Sequence, residues 1–295
     1  MTITQPDSVT LRAGCKINLH LEITGVREDG YHELDTLFFP LQEPFDTITI
    51  AKGSAGTGLI LNCPALSIPP EKNIIYKSWE KFGAATGWKP DLKISVEKGI
   101  PDGAGLGGGS SDAAVVLNYL NKYCPNNALS ADALNKLAAT IGADVPFFLN
   151  NVPAHATGIG DVLTPSDITL EGYSLVLICP DVSISTPWAF AAWDKAMLQE
   201  PSCNNKKEFL TTATSKDRKH SSRALWLFNS FEVVVYSAFP KLRAYKDKLI
   251  EFGAVGAVMS GSGSSIFALY REMEQAARAA TALKAEGVAT YLHHL

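Results

Sequence analysis

The sequence predicts an α+β protein of two domains, divided near residue 165 into segments 1–165 and 166–295. Three observations carry this. The chain has 295 residues, enough to bury two cores. Short runs of alternating or continuous apolar residues are interleaved with amphipathic stretches that carry helix caps. A polar stretch without apolar period, residues 201–222, interrupts the second half and reads as a mobile connection.

The elements follow in order. Val9 to Ile23 predicts a strand, because its later half alternates, with Ile17, Leu19, Leu21 and Ile23 on one face and Asn18, His20 and Glu22 on the other. Asp29-Gly30 marks a tight turn. Two strands are expected next, near 34–41 and 46–51. Pro69-Pro70 breaks the chain, and Asn73 to Thr86 predicts a helix ended by Gly87. A strand over 92–98 leads into a glycine-rich loop, and helices are expected over 111–123 and 130–141. Residues 157–161 read as a small-residue turn. In the second half the spacing predicts strands at 173–179, 255–259, 265–270 and 289–292. Helices are expected near 186–197, 222–236, 241–252 and 273–286.

Composition narrows the function. Hydrophobic content of 46%, charged content of 19% and a net charge of −4 describe an ordinary globular protein without the basic excess of a nucleic-acid binder. The five cysteines (Cys15, Cys63, Cys124, Cys179 and Cys203) are scattered and contain no CxxC pair, which favours reduced, cytoplasmic thiols over a disulfide or zinc framework. The N-terminus lacks a signal-peptide pattern, and no apolar run reaches the roughly 20 residues needed to span a bilayer. His20, His155, His220, His293 and His294 show no metal-ligand spacing.

The chemistry concentrates in Pro101-Asp102-Gly103-Ala104-Gly105-Leu106-Gly107-Gly108-Gly109-Ser110-Ser111, followed by a helix. Five glycines within residues 103–109 leave the backbone bare and free to adopt φ > 0. A loop of this kind opening a helix gathers N–H groups and the positive end of the helix dipole into an anion site, for which phosphate is the usual occupant. A strand–helix turn alone needs one or two glycines. A P-loop is excluded because no lysine lies between Pro101 and Asn121. Gly103, Gly105 and Gly108 formally spell a dinucleotide fingerprint, but a helix follows where a second strand with an acidic end is required. The elements of a protein kinase are missing.

This segment resembles the central motif of the small-molecule kinases named after galactose, homoserine, mevalonate and phosphomevalonate. Two further motifs support the likeness, Ala13-Gly14-Cys15-Lys16-Ile17-Asn18-Leu19 and Met259-Ser260-Gly261-Ser262-Gly263-Ser264-Ser265. The resemblance therefore spans nearly the whole chain. The strings KINLHLEITGVREDGYHELDTLF, GGGSSDAA, GADVPFF and MSGSGSSIFAL look like the branch of bacterial and plastid enzymes in the non-mevalonate route to isoprenoids. That branch phosphorylates the 2-hydroxyl of a cytidyl diphosphate of methylerythritol with ATP. A homoserine or mevalonate kinase, and a non-catalytic nucleotide binder on the same fold, are the competing readings.

The resemblance implies a ribosomal-protein-S5-domain-2-like N-terminal ATP-binding domain, a ferredoxin-like C-terminal domain and an active site in the cleft between them. It implies that residues 101–111 hold ATP, that Mg²⁺ comes with the phosphates without a dedicated protein cage, with Ser110 or Ser111 as the candidate ligand, and that Asn73 lies near adenine. Asp144 matches the catalytic aspartate, which accepts the proton of the attacking hydroxyl, and Lys16 the lysine beside it. A helix-capping role is the ordinary alternative for Asp144 and for the two serines, as a surface position is for Lys16. Cys15 departs from the small residue or proline common next to that lysine. Asn18, on the same strand face as Lys16, is expected to bind the methylerythritol part. Tyr31 and His32 are expected at the cytosine, together with an aromatic ring from Phe190 or, less favoured, Trp188, and Thr186 is expected in the substrate site. Gly261 to Ser264 is expected to line the site, or else to form a plain hairpin turn. The implied partners are ATP and a small-molecule substrate, with neither nucleic acid nor membrane, in a monomer or a homodimer.

Overall fold

Alternation over Ile17, Leu19, Leu21 and Ile23 produces a strand whose inward side chains are all buried. The computed structural model describes residues 5–66, 68–199 and 227–295. The predicted connection over 201–222, with Cys203 and His220, lies outside the described residues. The four other cysteines are in no disulfide among the described residues, and Cys15 Sγ donates to Glu43 O. By packing, the chain forms two units. The first comprises Pro40–Pro101, Gly107–Pro165 and the described residues up to Lys16. The second comprises Ile17–Phe39, Asp102–Leu106 and the described residues from Ser166 onward.

In the first unit, strands β1 (Ser8–Val26) and β2 (His32–Lys52) contribute their portions outside 17–39. The sheet order is β3 (Leu59–Asn62), β4 (Leu92–Glu97), β2, β1. β3 runs parallel to β4, and β4 antiparallel to β2 in the register Thr47 to Glu97 and Ile50 to Ile94. Helix α1 (Ile74–Thr86) begins at Asn73, whose side chain accepts the Ile75 N–H, and ends at Gly87 in the left-handed conformation, as its cap residues predict. It packs on α2 (Gly108–Tyr123); α3 (Ala131–Ala139) and α4 (Val145–Asn150) complete the helical layer. The buried side chains include Ile48, Ile50, Ile75, Phe82, Ile94, Leu117, Leu120 and Phe147. Strands β5 (Ala154–Thr157) and β6 (Val162–Pro165) flank the expected turn at 157–161.

Two expectations need correction. The strands expected at 34–41 and 46–51 are one strand, because Pro40 and Pro44 remove hydrogen-bond donors but their φ is compatible with extended chain. The helix expected over 222–236 starts only at Glu232; within its described part, Phe228–Asn229 is extended and pairs in parallel with His20 and Leu21.

The second unit holds that pairing of β1 with β8 (Phe228–Asn229) and a four-stranded antiparallel sheet. Its strands are β7 (Ser174–Cys179), β9 (Gly256–Met259), β10 (Ile266–Tyr270) and β11 (Ala289–His294), in the order β11-β7-β10-β9. All of β7 and β10 is buried, which matches their continuous apolar runs. Helix α5 (Thr186–Gln199) packs on α6 (Glu232–Ala238), while α7 (Pro240–Glu251) and α8 (Met273–Ala285) cover the sheet. The core joins Leu21, Val176, Ile178, Phe231, Leu242, Leu249, Ile266 and Leu283. This is the α+β architecture expected for the chain.

Candidate active site

The glycine loop forms as its composition requires. Gly103, Gly105 and Gly107 all have positive φ, between 63° and 75°. Gly107 is the N-cap of α2, so Ser110 and Ser111 lie in the first turn and are not capping residues. The first-turn N–H groups of α2 have no carbonyl in their own helix to bond and carry the positive end of its dipole. A Cβ on Gly107 would lie 2.8 Å from the Phe148 ring and 3.3 Å from Lys16 Cγ. The turn that opens α2 thus rests directly on Phe148 and the lysine stem.

Lys16 is buried, and its Nζ lies 3.8 Å from Asp144 Oδ2; Asp144 is about one-third exposed. Burial pushes the Lys16 ammonium below its ordinary pKa, against the opposing pull of Asp144 and Cys15. Asp144 precedes α4 but makes no side-chain cap bond, which leaves its carboxylate to the lysine rather than to the helix end. Asn73, by contrast, is engaged as the α1 cap.

In the second unit, residues 103–105 are tied to other segments. Gly103 O accepts from Ile184 N–H, Ala104 O from Ser265 N–H, and Gly105 O from the Ser260 hydroxyl at 3.0 Å. A Cβ on Gly105 would stand 2.0 Å from Ser260 O, so only glycine fits. Asn229 donates to Met259 O and Gly261 O at 2.7 and 2.8 Å, fixing the 260–265 turn. Gly261–Ser264 is therefore more than a free hairpin turn. The Asn18 side chain donates to the Thr36 hydroxyl and its N–H to Ser260 Oγ. Thr186 shares a hydroxyl–hydroxyl bond of 2.9 Å with Ser262.

A separate cluster forms around His32. Its ring stacks on Phe190, with centroids 4.4 Å apart, and meets Trp193 edge-on. His32 Nε2 is 2.7 Å from Asp194 Oδ1. Tyr31, next in the chain, is 60% exposed. Trp188 faces Phe239 and not His32. Sequence reasoning missed Asp194 and Asn229. Asp194 lies four residues after Phe190, one helical turn away, a spacing that could have suggested it.

Among the described residues no group of three or more His, Cys, Asp or Glu side chains could hold a metal ion, and no helix is long and apolar enough to cross a membrane.

Comparison with known proteins identifies the family. The GHMP kinases N terminal domain family matches residues 73–151, and the GHMP kinases C terminal family matches residues 216–289. The chain is 47% identical to 4-diphosphocytidyl-2-C-methyl-D-erythritol kinase of Oleidesulfovibrio alaskensis, covering 97% of this chain and 98% of that one. It is 44% identical to the protein of the same name from Lawsonia intracellularis, covering 96% and 95%. A crystal structure of 4-(cytidine 5'-diphospho)-2C-methyl-D-erythritol kinase superposes with a TM-score of 0.74 at 32% identity, over 96% of this chain and 98% of that one. Homoserine kinase from Cytophaga hutchinsonii, at 18% identity and a TM-score of 0.70 over 99% and 95%, shares the fold. Together with the loop geometry and the Lys16–Asp144 pair, these matches mean that the chain belongs to the 4-diphosphocytidyl-2-C-methyl-D-erythritol kinase family of GHMP kinases.

Proposed function

We propose that this small-molecule kinase transfers the γ-phosphoryl group of ATP to the 2-hydroxyl of 4-diphosphocytidyl-2-C-methyl-D-erythritol. The observation that carries the reading is the Lys16–Asp144 pair, with the lysine stem packed against Gly107 at the opening of α2. Asp144 accepts the proton of the attacking hydroxyl, and the Lys16 ammonium orients that carboxylate and favours the alkoxide as it forms. Backbone N–H groups of the glycine loop hold the phosphates. Phosphoryl transfer needs little beyond positioning and charge neutralisation, which this apparatus can supply.

Mg²⁺ fits as a companion of the ATP phosphates. Ser110, half-buried in the first turn of α2, would be the hydroxyl to hold it, whereas Ser111 is buried. The ion would supply neutralisation of the phosphate charge.

The cytidyl end is read from His32 and Phe190. A flat base suits a stacking ring beside a two-ended hydrogen-bonder, and exposed Tyr31 is free to cover the other face. Asn18 and Thr186 serve the sugar alcohol and diphosphate in this reading. The test is ADP release with the cytidyl diphosphate, mevalonate and homoserine in parallel, with ³¹P NMR of the product. Phosphate appearing on the 2-hydroxyl of the cytidyl substrate is expected; turnover of mevalonate or homoserine alone would overturn the proposal.

A further inference from the structure

Beneath the start and the end of the glycine loop lies a buried charge cluster in the first unit. Asp46 Oδ1 accepts the N–H groups of Gly99 and Ile100, both at 2.8 Å. Its other oxygen pairs with Lys98 Nζ, and Lys98 Nζ also donates to Asp112 Oδ2 at 2.8 Å. The lysine is nine-tenths buried and the two carboxylates more so. Asp112 sits in the first turns of α2. A Cβ on Gly108 would come within 3.3 Å of Asp46 Oδ2 and 3.0 Å of Ile100 Cγ2. One carboxylate of β2 therefore holds the chain just before the loop and leaves no room for a side chain at Gly108 just after it, and Lys98 extends that hold into the helix.

A loop with five glycines has more backbone freedom to lose than any other composition. Its N–H groups can serve as a preformed anion cradle only if both ends are fixed. A solely structural role would favour an apolar cluster, because a buried ionic triad contributes little net stability. Here one ammonium serves two carboxylates, and Asp112 Oδ1 has no partner among the described residues. The cluster is thus costly to bury, and its one evident result is geometric.

We propose that Asp46, Lys98 and Asp112 form a positioning clamp that sets the phosphate-binding geometry of the glycine loop. The proposal rests on the reading of that loop as the ATP site. The three side chains act through the backbone and need not touch the nucleotide.

The experiment measures KM for ATP, KM for the cytidyl substrate and kcat in Lys98→Met, Lys98→Arg and Asp112→Asn, with folding checked by circular dichroism and thermal unfolding. In folded Lys98→Met, KM for ATP should rise about ten- to a hundredfold while KM for the cytidyl substrate stays within about twofold. Lys98→Arg should recover most of the loss, since a guanidinium can bridge two carboxylates. If Lys98→Met fails to fold, Asp112→Asn decides, because it keeps shape and weakens only the link to α2. Gly109→Ala, which adds bulk on the exposed side of the loop, serves as the reference. If it raises KM for ATP while the folded clamp variants do not, the clamp is refuted and the loop reading stands. If none of the variants changes KM for ATP, both fall.

Discussion

Lys16 Nζ stands 3.8 Å from Asp144 Oδ2, close enough for strong charge coupling but longer than a good hydrogen bond. A substrate hydroxyl held near both would meet a base and a cation together. Asp144→Asn and Lys16→Met should each lower kcat by about a hundredfold or more with little change in thermal stability. Steady-state kinetics and calorimetry on the two variants check this. Retention of wild-type kcat by either would remove that residue from the mechanism.

The lysine also gives the reaction a pH signature. Its ammonium is useful only while protonated, and burial lowers its pKa. Activity should therefore fall as pH rises through a value below the ordinary lysine range. In Lys16→Arg the remaining activity should lose this alkaline limb, because arginine stays charged. A kcat–pH profile from about pH 6 to about pH 10 distinguishes the two.

The glycines of the loop are not equivalent. Gly107→Ala meets Phe148 at 2.8 Å with φ at +73°, so it should destabilise the fold by about 1 kcal/mol or more. Gly109 lies in helix, is exposed, and would meet nothing nearer than 3.8 Å. Gly109→Ala should keep or slightly raise stability, by up to about 1 kcal/mol. A simultaneous rise in KM for ATP would show that this glycine is bare for the ligand and not for the fold. Unchanged KM would count against the reading of the loop as the phosphate site.

The contrast shows what was legible in the sequence. Apolar alternation over Ile17, Leu19, Leu21 and Ile23 is local, as are the caps at Asn73 and Gly87, and each forms as expected, although Lys16 and Asn18 at the alternate positions are buried too. Glycine density marked the loop's backbone, since positive φ at 103, 105 and 107 is a property of the residues themselves. The supports around it were not legible. Asp46 meets Lys98, Asn229 meets Gly261 and Ser260 meets Gly105 only after folding, and no local period encodes a buried polar partner. The continuous β2 was missed because prolines, usually breakers, fall where extended φ suits them.

His32 is held by Asp194 at 2.7 Å and by the Phe190 ring. The carboxylate accepts from Nε2–H and so leaves Nδ1 as the ring's acceptor. Asp194→Ala should raise KM for the cytidyl substrate by about tenfold and leave KM for ATP unchanged. Asp194→Asn, which can still bond the ring, should lose less. Equal losses for both substrates would remove His32 from base recognition.

Asp112 supplies the last prediction. Desolvation pushes its carboxyl from the ordinary 3.8 up to about 7, against the Lys98 ammonium, while the Asp46 charge adds to the rise. Lys98 itself is pushed down by burial, but Asp112 and Asp46 outweigh this and hold it above its usual value. Cys63 is the further titratable group facing the cluster. With a raised folded pKa, Asp112 binds its proton more tightly in the native chain than in the unfolded one. Its contribution is therefore greatest below about pH 4 and is lost as pH rises to about 7, beyond which it stays level. Asp112→Asn removes the titrating proton and with it this slope. Urea unfolding across that range should show the stability of the parent chain falling relative to the variant as pH increases. A constant difference would mean that Asp112 titrates in its ordinary range, with Lys98 fully neutralising it; a difference growing in the parent's favour would reverse the sign and place the carboxylate below its normal pKa.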